Sequence, residues 1–330
     1  MVETIGGARV AYDFTLRALK AGKSVVTSNK ELVATHGYEL LQLAREKGVS
    51  YLFEASVGGG IPILRPLTTC LAANELSQIT GILNGTTNYI LTRMIRAGLS
   101  FEQALKEAQA NGYAEQDPTA DVEGHDACRK ICILAALAFG QHVSPDQVPT
   151  QGISGVTLAD AAYAASAGYQ IKLLGRALRR DNGKICAFVA PHLVPASNPL
   201  SGVEDVFNAI SVTGNALGDA MFYGRGAGKL PTASAVVADV IDIAKDLKRD
   251  HHNNWGPGSP DLVESPQQLV SPWYLRVEGD VPQNLGQVEV LHCEGEPAGQ
   301  TALLTQPRSQ AQLEEKLAGA AVASLFRVLA

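Results

Sequence analysis

Near the amino end of the chain, stretches of helical apolar spacing alternate with short β-branched runs, and each run gives way to a polar or glycine-rich loop. Tyr12 to Ala21 sets Phe14, Leu16, Ala18 and Leu19 at helical spacing, Gly22 stops it, and Ser24-Val25-Val26-Thr27 follows as a strand. A second helix, from about His36 to Glu46, ends near Lys47-Gly48, and Val49 to Phe53 is the next strand. Helix, strand, helix, strand is half of a doubly wound α/β sheet, whose binding residues lie on loops beyond the carboxyl ends of the strands. Ser28-Asn29-Lys30 and Glu54-Ala55-Ser56-Val57-Gly58-Gly59-Gly60 hold those positions, so both are candidate site loops.

Further along, the pattern becomes mixed. Ile61 to Ala73 reads as a helix, Gln78 to Leu83 as extended chain leading to Asn84-Gly85-Thr86-Thr87-Asn88, and Tyr89 to Ala97 as another helix. Ser100 and Gln103 form a capping-box signature ahead of the stripe Phe101, Ala104, Leu105 and Ala108. A turn-rich acidic segment, Tyr113 to Gly124, leads into an apolar helix over His125 to Phe139. A helix at Leu158 to Ala167 and strands near Gln170 to Ala177, Ile185 to Pro191 and Ala209 to Thr213 complete an α+β unit. Such a sheet needs cover beyond these few helices, which makes it a plausible subunit interface.

At 330 residues with 46% hydrophobic content, the chain has room for two or three compact units. A net charge of -6 gives no reason to expect nucleic acid or an anionic membrane as partner. The chain shows neither a signal-peptide pattern nor the ~20 consecutive apolar residues of a membrane helix, which leaves a cytoplasmic protein as the expectation. Five scattered cysteines, Cys70, Cys128, Cys132, Cys186 and Cys293, fit reduced thiols better than disulfides, and no companion residues complete a zinc site around Cys128 and Cys132. Phe222-Tyr223-Gly224-Arg225-Gly226-Ala227-Gly228-Lys229 reads as a glycine-rich turn before a helix over Thr232 to Leu247. It fails the phosphate-loop pattern, because Tyr223 stands at the first glycine position and Leu230 follows the lysine. His251 and His252, in a stretch of linker composition, are expected to face solvent.

Three groupings could carry chemistry, and each has a plainer reading. Asp126 and Lys130 are four apart on one helix face; they form an ordinary surface pair, or, with Glu115, Asp117, Asp121 and Glu123 crowded upstream, a site for an ammonium group. Lys30 is a solvated loop residue, or a group reaching a substrate oxygen where an alcohol is oxidised to a carbonyl. Glu54 to Gly60 is a tight turn, or a carbonyl cage for a hard cation.

The run Gly112-Tyr113-Ala114-Glu115-Gln116-Asp117-Pro118-Thr119-Ala120-Asp121-Val122-Glu123-Gly124-His125-Asp126-Ala127-Cys128-Arg129-Lys130 resembles the signature segment of the homoserine dehydrogenase family. Thr27-Ser28-Asn29-Lys30, Glu54 to Pro62 and Gly81 to Tyr89 resemble the same family in the same order, and the similarity extends from Met1 to about Leu247. The resemblance implies an NAD- or NADP-dependent oxidoreductase interconverting L-homoserine and L-aspartate 4-semialdehyde, on the route to threonine, methionine and isoleucine. It implies that Lys130 and Lys30 handle the reacting oxygen, that Asp126 supports Lys130, and that Glu115 and Asp121 bind the substrate's amino end. It further implies a Na⁺ or K⁺ site on the backbone carbonyls of Glu54, Val57, Gly59 and Ile61. By the same resemblance Lys30, Gly226 and Gly228 line the cofactor, and the chain forms a homo-oligomer.

The expected architecture follows from this resemblance. Residues 1–57, completed by about 225–249, form a truncated doubly wound, Rossmann-like nucleotide domain. Residues 58–224 form the catalytic, substrate-binding and oligomerisation domain, 250–272 a linker, and 273–330 a small α+β module faintly resembling a degenerate ACT domain. The glycine-rich amino-terminal part of the nucleotide domain is expected to be missing, because Ile5-Gly6-Gly7 is short and shows no preceding strand. A chain so truncated would bind its dinucleotide weakly, and the competing reading is a non-catalytic amino-acid-binding or regulatory remnant of the family.

Overall fold

The computed structural model of the protein describes residues 1–245, 247 and 254–329. The first elements are β1 (Val2–Glu3), α1 (Ala8–Lys20), β2 (Val25–Thr27), α2 (Lys30–Glu46), β3 (Tyr51–Leu52) and α3 (Leu64–Thr68). The middle of the chain forms β4 (Leu76–Ile82), α4 (Gly85–Ala97), α5 (Phe101–Ala110), α6 (Thr119–Val122), α7 (His125–Phe139), α8 (Leu158–Ser166), β5 (Tyr169–Arg179) and β6 (Ile185–Pro195). Then come β7 (Phe207–Gly214), β8 (Gly218–Arg225), α9 (Lys229–Lys245), β9 (Trp273–Glu278), β10 (Val288–Leu291), β11 (Gln300–Thr305), α10 (Gln310–Lys316) and β12 (Ala321–Val328). His251 and His252 lie outside the described residues.

β1, β2 and β3 pair in parallel, with Val2 opposite Val26 and Val25 opposite Tyr51. Both faces of this sheet are covered, as parallel sheets require. Val25, Tyr51 and Phe53 enter the core beneath α1 and α2, whereas Val26 and Leu52 pack on Val236 and Ile243 of α9. The strand at Val2–Glu3 was not legible in the sequence. It places Ile5-Gly6-Gly7 between a strand and a helix, so the order is strand, glycine turn, helix. α2 starts at Lys30, earlier than the spacing suggests, because the Asn29 side chain caps it by accepting the Leu32 N–H at 3.0 Å. Two bonds from the Asn29 side-chain amide, to the carbonyls of Ile5 and Gly7, tie that turn to the start of α2.

The second sheet has nine strands in the order β10-β11-β9-β12-β6-β5-β4-β7-β8. Its pairings are antiparallel except β12 with β6, which is parallel. β8 overturns the reading of Phe222 to Lys229 as one glycine-rich turn. Phe222 to Arg225 continue the ladder opposite Ile210 to Phe207, and the turn is confined to the residues that follow.

The tail strands join this sheet. β12 sets Arg327 opposite His192 and Val328 opposite Leu193 of β6, and the fully buried Asp160 on α8 pairs with Arg276 on β9 at 2.9 Å. Tyr274 and Ser324 donate to the same carboxylate. Trp255, from the stretch expected to be a linker, is buried against Phe53 and against Gly37. Among the described residues, no helix is long and apolar enough to cross a membrane.

Candidate active site

α7 is buried nearly throughout. Ala127, Ile131, Ile133, Leu134 and Ala135 fill the core, and Gly124 opens the helix with the positive φ of 82° that an L side chain resists. Gly175 on β5 lets it approach the sheet, since a Cβ there would lie 2.7 Å from Leu83 and 3.2 Å from Ile131. This packing brings Lys130 to the end of β4, where its Nζ donates to the Leu83 carbonyl at 2.8 Å.

The pair Asp126 and Lys130 is therefore no surface pair: both residues are buried. Lys130 Nζ lies 2.6 Å from Asp126 Oδ2, and Lys30 Nζ, from the first turn of α2, lies 2.6 Å from Asp126 Oδ1. Burial would push the Asp126 carboxyl up, but Lys130 and then Lys30 outweigh it and hold the group far below the usual carboxylate range. Asp126 is thus a fixed anion joining two ammonium groups, one nearly out of solvent and one partly exposed.

These residues line a cavity of about 470 Å³ with Glu115, Asp121, Asn84, Thr86, Tyr113 and Gly228. Of the four upstream carboxylates, Glu115 and Asp121 reach it. Asp117 is exposed and bonds the Thr119 N–H instead. Burial and repulsion from Asp126 raise the Asp121 carboxyl, opposed by hydrogen bonds from Asn84 and Thr86 and by the charge of Lys130. Asn84 and Tyr113 line the cavity without being among the expected site residues. The available signal was the cap position of Asn84 immediately before α4, whose Thr87 N–H it accepts at 2.9 Å.

The loop after β3 is buried from Glu54 to Gly59. The Glu54 carboxylate accepts the N–H groups of Ile63, Leu64 and Arg65, which fixes the start of α3, and Asp239 of α9 accepts the Glu54 N–H at 2.9 Å. Among the described residues, no protein donor bonds the carbonyls of Val57, Gly59 or Ile61. The return turn docks on this loop: Gly60 donates to the Arg225 carbonyl at 3.0 Å, and a Cβ on Gly59 would fall 2.5 Å from the Gly226 carbonyl oxygen. Ala227 and Gly228 extend from that contact into the cavity wall. Gly6, Gly7, Arg9, Glu31 and His36 border a second, open cavity of about 730 Å³.

Comparison with known proteins is decisive at this point: residues 62–241 match the protein-family model for homoserine dehydrogenase, and residues 1–54 match its NAD binding domain. The chain belongs to the homoserine dehydrogenase family. It is 45% identical over 279 residues to homoserine dehydrogenase of Bacillus subtilis (strain 168), covering 84% of this chain and 64% of that protein. The chain thus spans just under two thirds of that relative's length. A homoserine dehydrogenase structure from Thiobacillus denitrificans superposes with a TM-score of 0.89 at 37% identity, covering 99% of this chain and 81% of the other. A hyperthermophilic archaeal homoserine dehydrogenase, solved in complex with NADPH, matches with a TM-score of 0.65 at 33% identity over 76% of this chain and 72% of its own.

The match over residues 1–54 corrects the expectation that the nucleotide-binding part is missing and the Rossmann-like domain truncated. That part is present as β1–α1–β2–α2–β3, and the first residues supply the strand that Ile5-Gly6-Gly7 seemed to lack. The ground for expecting weak dinucleotide binding falls with it.

Proposed function

We propose that the protein interconverts L-homoserine and L-aspartate 4-semialdehyde by hydride transfer with NAD or NADP, serving threonine, methionine and isoleucine synthesis. The observation that carries this reading is the buried Asp126 held between Lys130 and Lys30 at 2.6 Å each, in a cavity that also presents Glu115 and Asp121. An α-ammonium group seeks carboxylates, and an oxygen developing negative charge seeks ammonium donors. Glu115 and Asp121 bind the amino end, while Lys130 and Lys30 bind the reacting oxygen, stabilise its charge and exchange its proton. Asp126 orients both lysines.

When bound, the dinucleotide supplies the hydride acceptor or donor. The cradle that fits it is the Gly6-Gly7 turn at the start of α1, which no side chain caps, together with the cavity bordered by Arg9 and Glu31. Lys30 lines the first cavity and the next residue, Glu31, borders the second; Gly228 lines the first cavity, and Gly226, packed against Gly59, would meet the cofactor beside it. The NADPH held by the archaeal relative supports the same class of cofactor here. The carbonyls of the buried residues Val57, Gly59 and Ile61, which accept no protein donor among the described residues, and that of Glu54 would hold Na⁺ or K⁺, supplying a structural charge beneath the turn at Gly226 to Gly228.

We divide the chain into a nucleotide domain of 1–57 with 225–249, a catalytic domain of 58–224, a connecting stretch of 250–272 and an ACT-like unit of 273–330. Residues 246 and 248–253 lie outside the described set. Association of copies through the catalytic domain is supported by exposed Met221 and Tyr223 on edge strand β8. Against a non-catalytic remnant stands the complete lysine–aspartate–lysine arrangement, which simple amino-acid binding does not require.

Calorimetric titration tests the substrate assignment. L-Homoserine should bind, and 4-hydroxybutyrate, which lacks the ammonium group, should bind at least tenfold more weakly, about 1.4 kcal/mol. Equal affinity for the two would remove Glu115 and Asp121 from the proposed role.

A further inference from the structure

Asn84 sits at the junction of β4 and α4, buried, with its side chain fully engaged. Its Oδ1 accepts the Thr87 N–H at 2.9 Å, which caps α4 and fixes which way the amide faces. Its Nδ2 therefore points to the carboxylates, donating to Asp121 Oδ1 at 2.7 Å and to Asp126 Oδ2 at 2.8 Å. The preceding residue, Leu83, gives its carbonyl to Lys130. One turn of chain thus grips both the lysine and the two acids of the cavity.

Two carboxylates this close repel, and one would ordinarily keep a proton. Asp126 has Lys130 and Lys30 against its charge. Asp121 is less well provided. Facing it are Asp126 and Lys130 from α7, Asn84 and Thr86 from the turn before and at the start of α4, and, across the same cavity, Glu115 and Arg225. Among these, the Asn84 amide is the group that bonds both acids at once.

We propose that Asn84 is a positioning residue that holds Asp121 as a second carboxylate beside Asp126, so that the substrate's ammonium group meets an anion at neutral pH. The proposal rests on the functional reading above for the identity of that substrate, and on geometry alone for the relation between the three residues. A carboxylate binds ammonium only when ionised, so binding fails as pH falls through the carboxyl's pKa. Removing the amide donor raises that pKa and moves the failure to higher pH.

The test separates the cap from the donor. Asn84→Ser keeps a short acceptor to cap α4 and removes the amide donor without adding a charge; Asn84→Thr serves if the first variant fails to fold. Carboxyl-carbon NMR should show the Asp121 titration midpoint rising by about one pH unit or more in the variant. The acid limb of kcat/KM for homoserine should rise with it, while kcat at high pH stays within about tenfold of the parent. An unchanged Asp121 midpoint in a folded variant would overturn the proposal and leave Asn84 a helix cap. Should the parent show no turnover with homoserine, the functional reading fails, and the carboxyl titration still decides the role of Asn84.

Discussion

Lys130 Nζ lies 2.6 Å from Asp126 Oδ2 on the same helix, with both residues buried. At helical spacing on a surface such a pair contributes a few tenths of a kcal/mol; sequestered beside Lys30, it sets the charge of the cavity. Asp126→Asn keeps the shape but removes the anion, and kcat should fall by about 10²- to 10³-fold. Lys130→Met should lose turnover to a similar degree, with circular dichroism reporting a retained fold. Near-parental turnover in either folded variant would contradict the assigned roles.

Asp160 and Arg276 tie the tail to the catalytic unit. Arg276→Met leaves a fully buried carboxylate without its guanidinium, and stability should fall by about 3 to 5 kcal/mol in urea titration. Replacing both residues by apolar ones of similar size should recover much of that loss. For the same reason, deletion of residues 273–330 should destabilise the catalytic sheet, because β12 leaves with the tail and uncovers part of β6. A deletion variant as stable as the parent would show that the two parts fold independently.

The sequence was informative where local chemistry is strong. α7 runs over His125–Phe139 as the apolar spacing expected, and the Ser100 and Gln103 pair does form a reciprocal cap on α5. Lys30, Asp126, Lys130, Glu115 and Asp121, which lie in two of the family-like segments, share one cavity. Illegible features were those set by distant partners. β1 has two residues, too few to show alternation, and exists because Val26 and Thr27 pair with it. β12 is parallel to β6, a pairing across more than a hundred residues that no local period announces. Asn84 reads as a cap, and its bonds to two acids appear only when α6 and α7 are folded over it.

His192 gives a pH dependence of defined sign. It is fully buried, and burial, with the positive charges of Arg176 and Arg327, pushes its pKa down to about 3. A base whose folded pKa is depressed contributes stability that is present above its unfolded pKa, near 6.5, and lost as pH falls toward the folded value. Below about pH 6.5 this residue alone should cost about 1.4 kcal/mol per pH unit. His192→Asn should flatten that slope between about pH 6 and 4 in urea titrations, whereas an unchanged slope would place the acid sensitivity elsewhere.

The most direct measurement is the absorbance of reduced nicotinamide when the purified protein is given L-homoserine with NAD⁺ or NADP⁺, and L-aspartate 4-semialdehyde with the reduced cofactor. The expected result is turnover in both directions, at about 1 s⁻¹ or faster with the preferred cofactor, lost in Lys130→Met. Tight binding of homoserine and dinucleotide with no change in absorbance would contradict the proposed chemistry and mark the site as one that binds amino acid without transferring hydride.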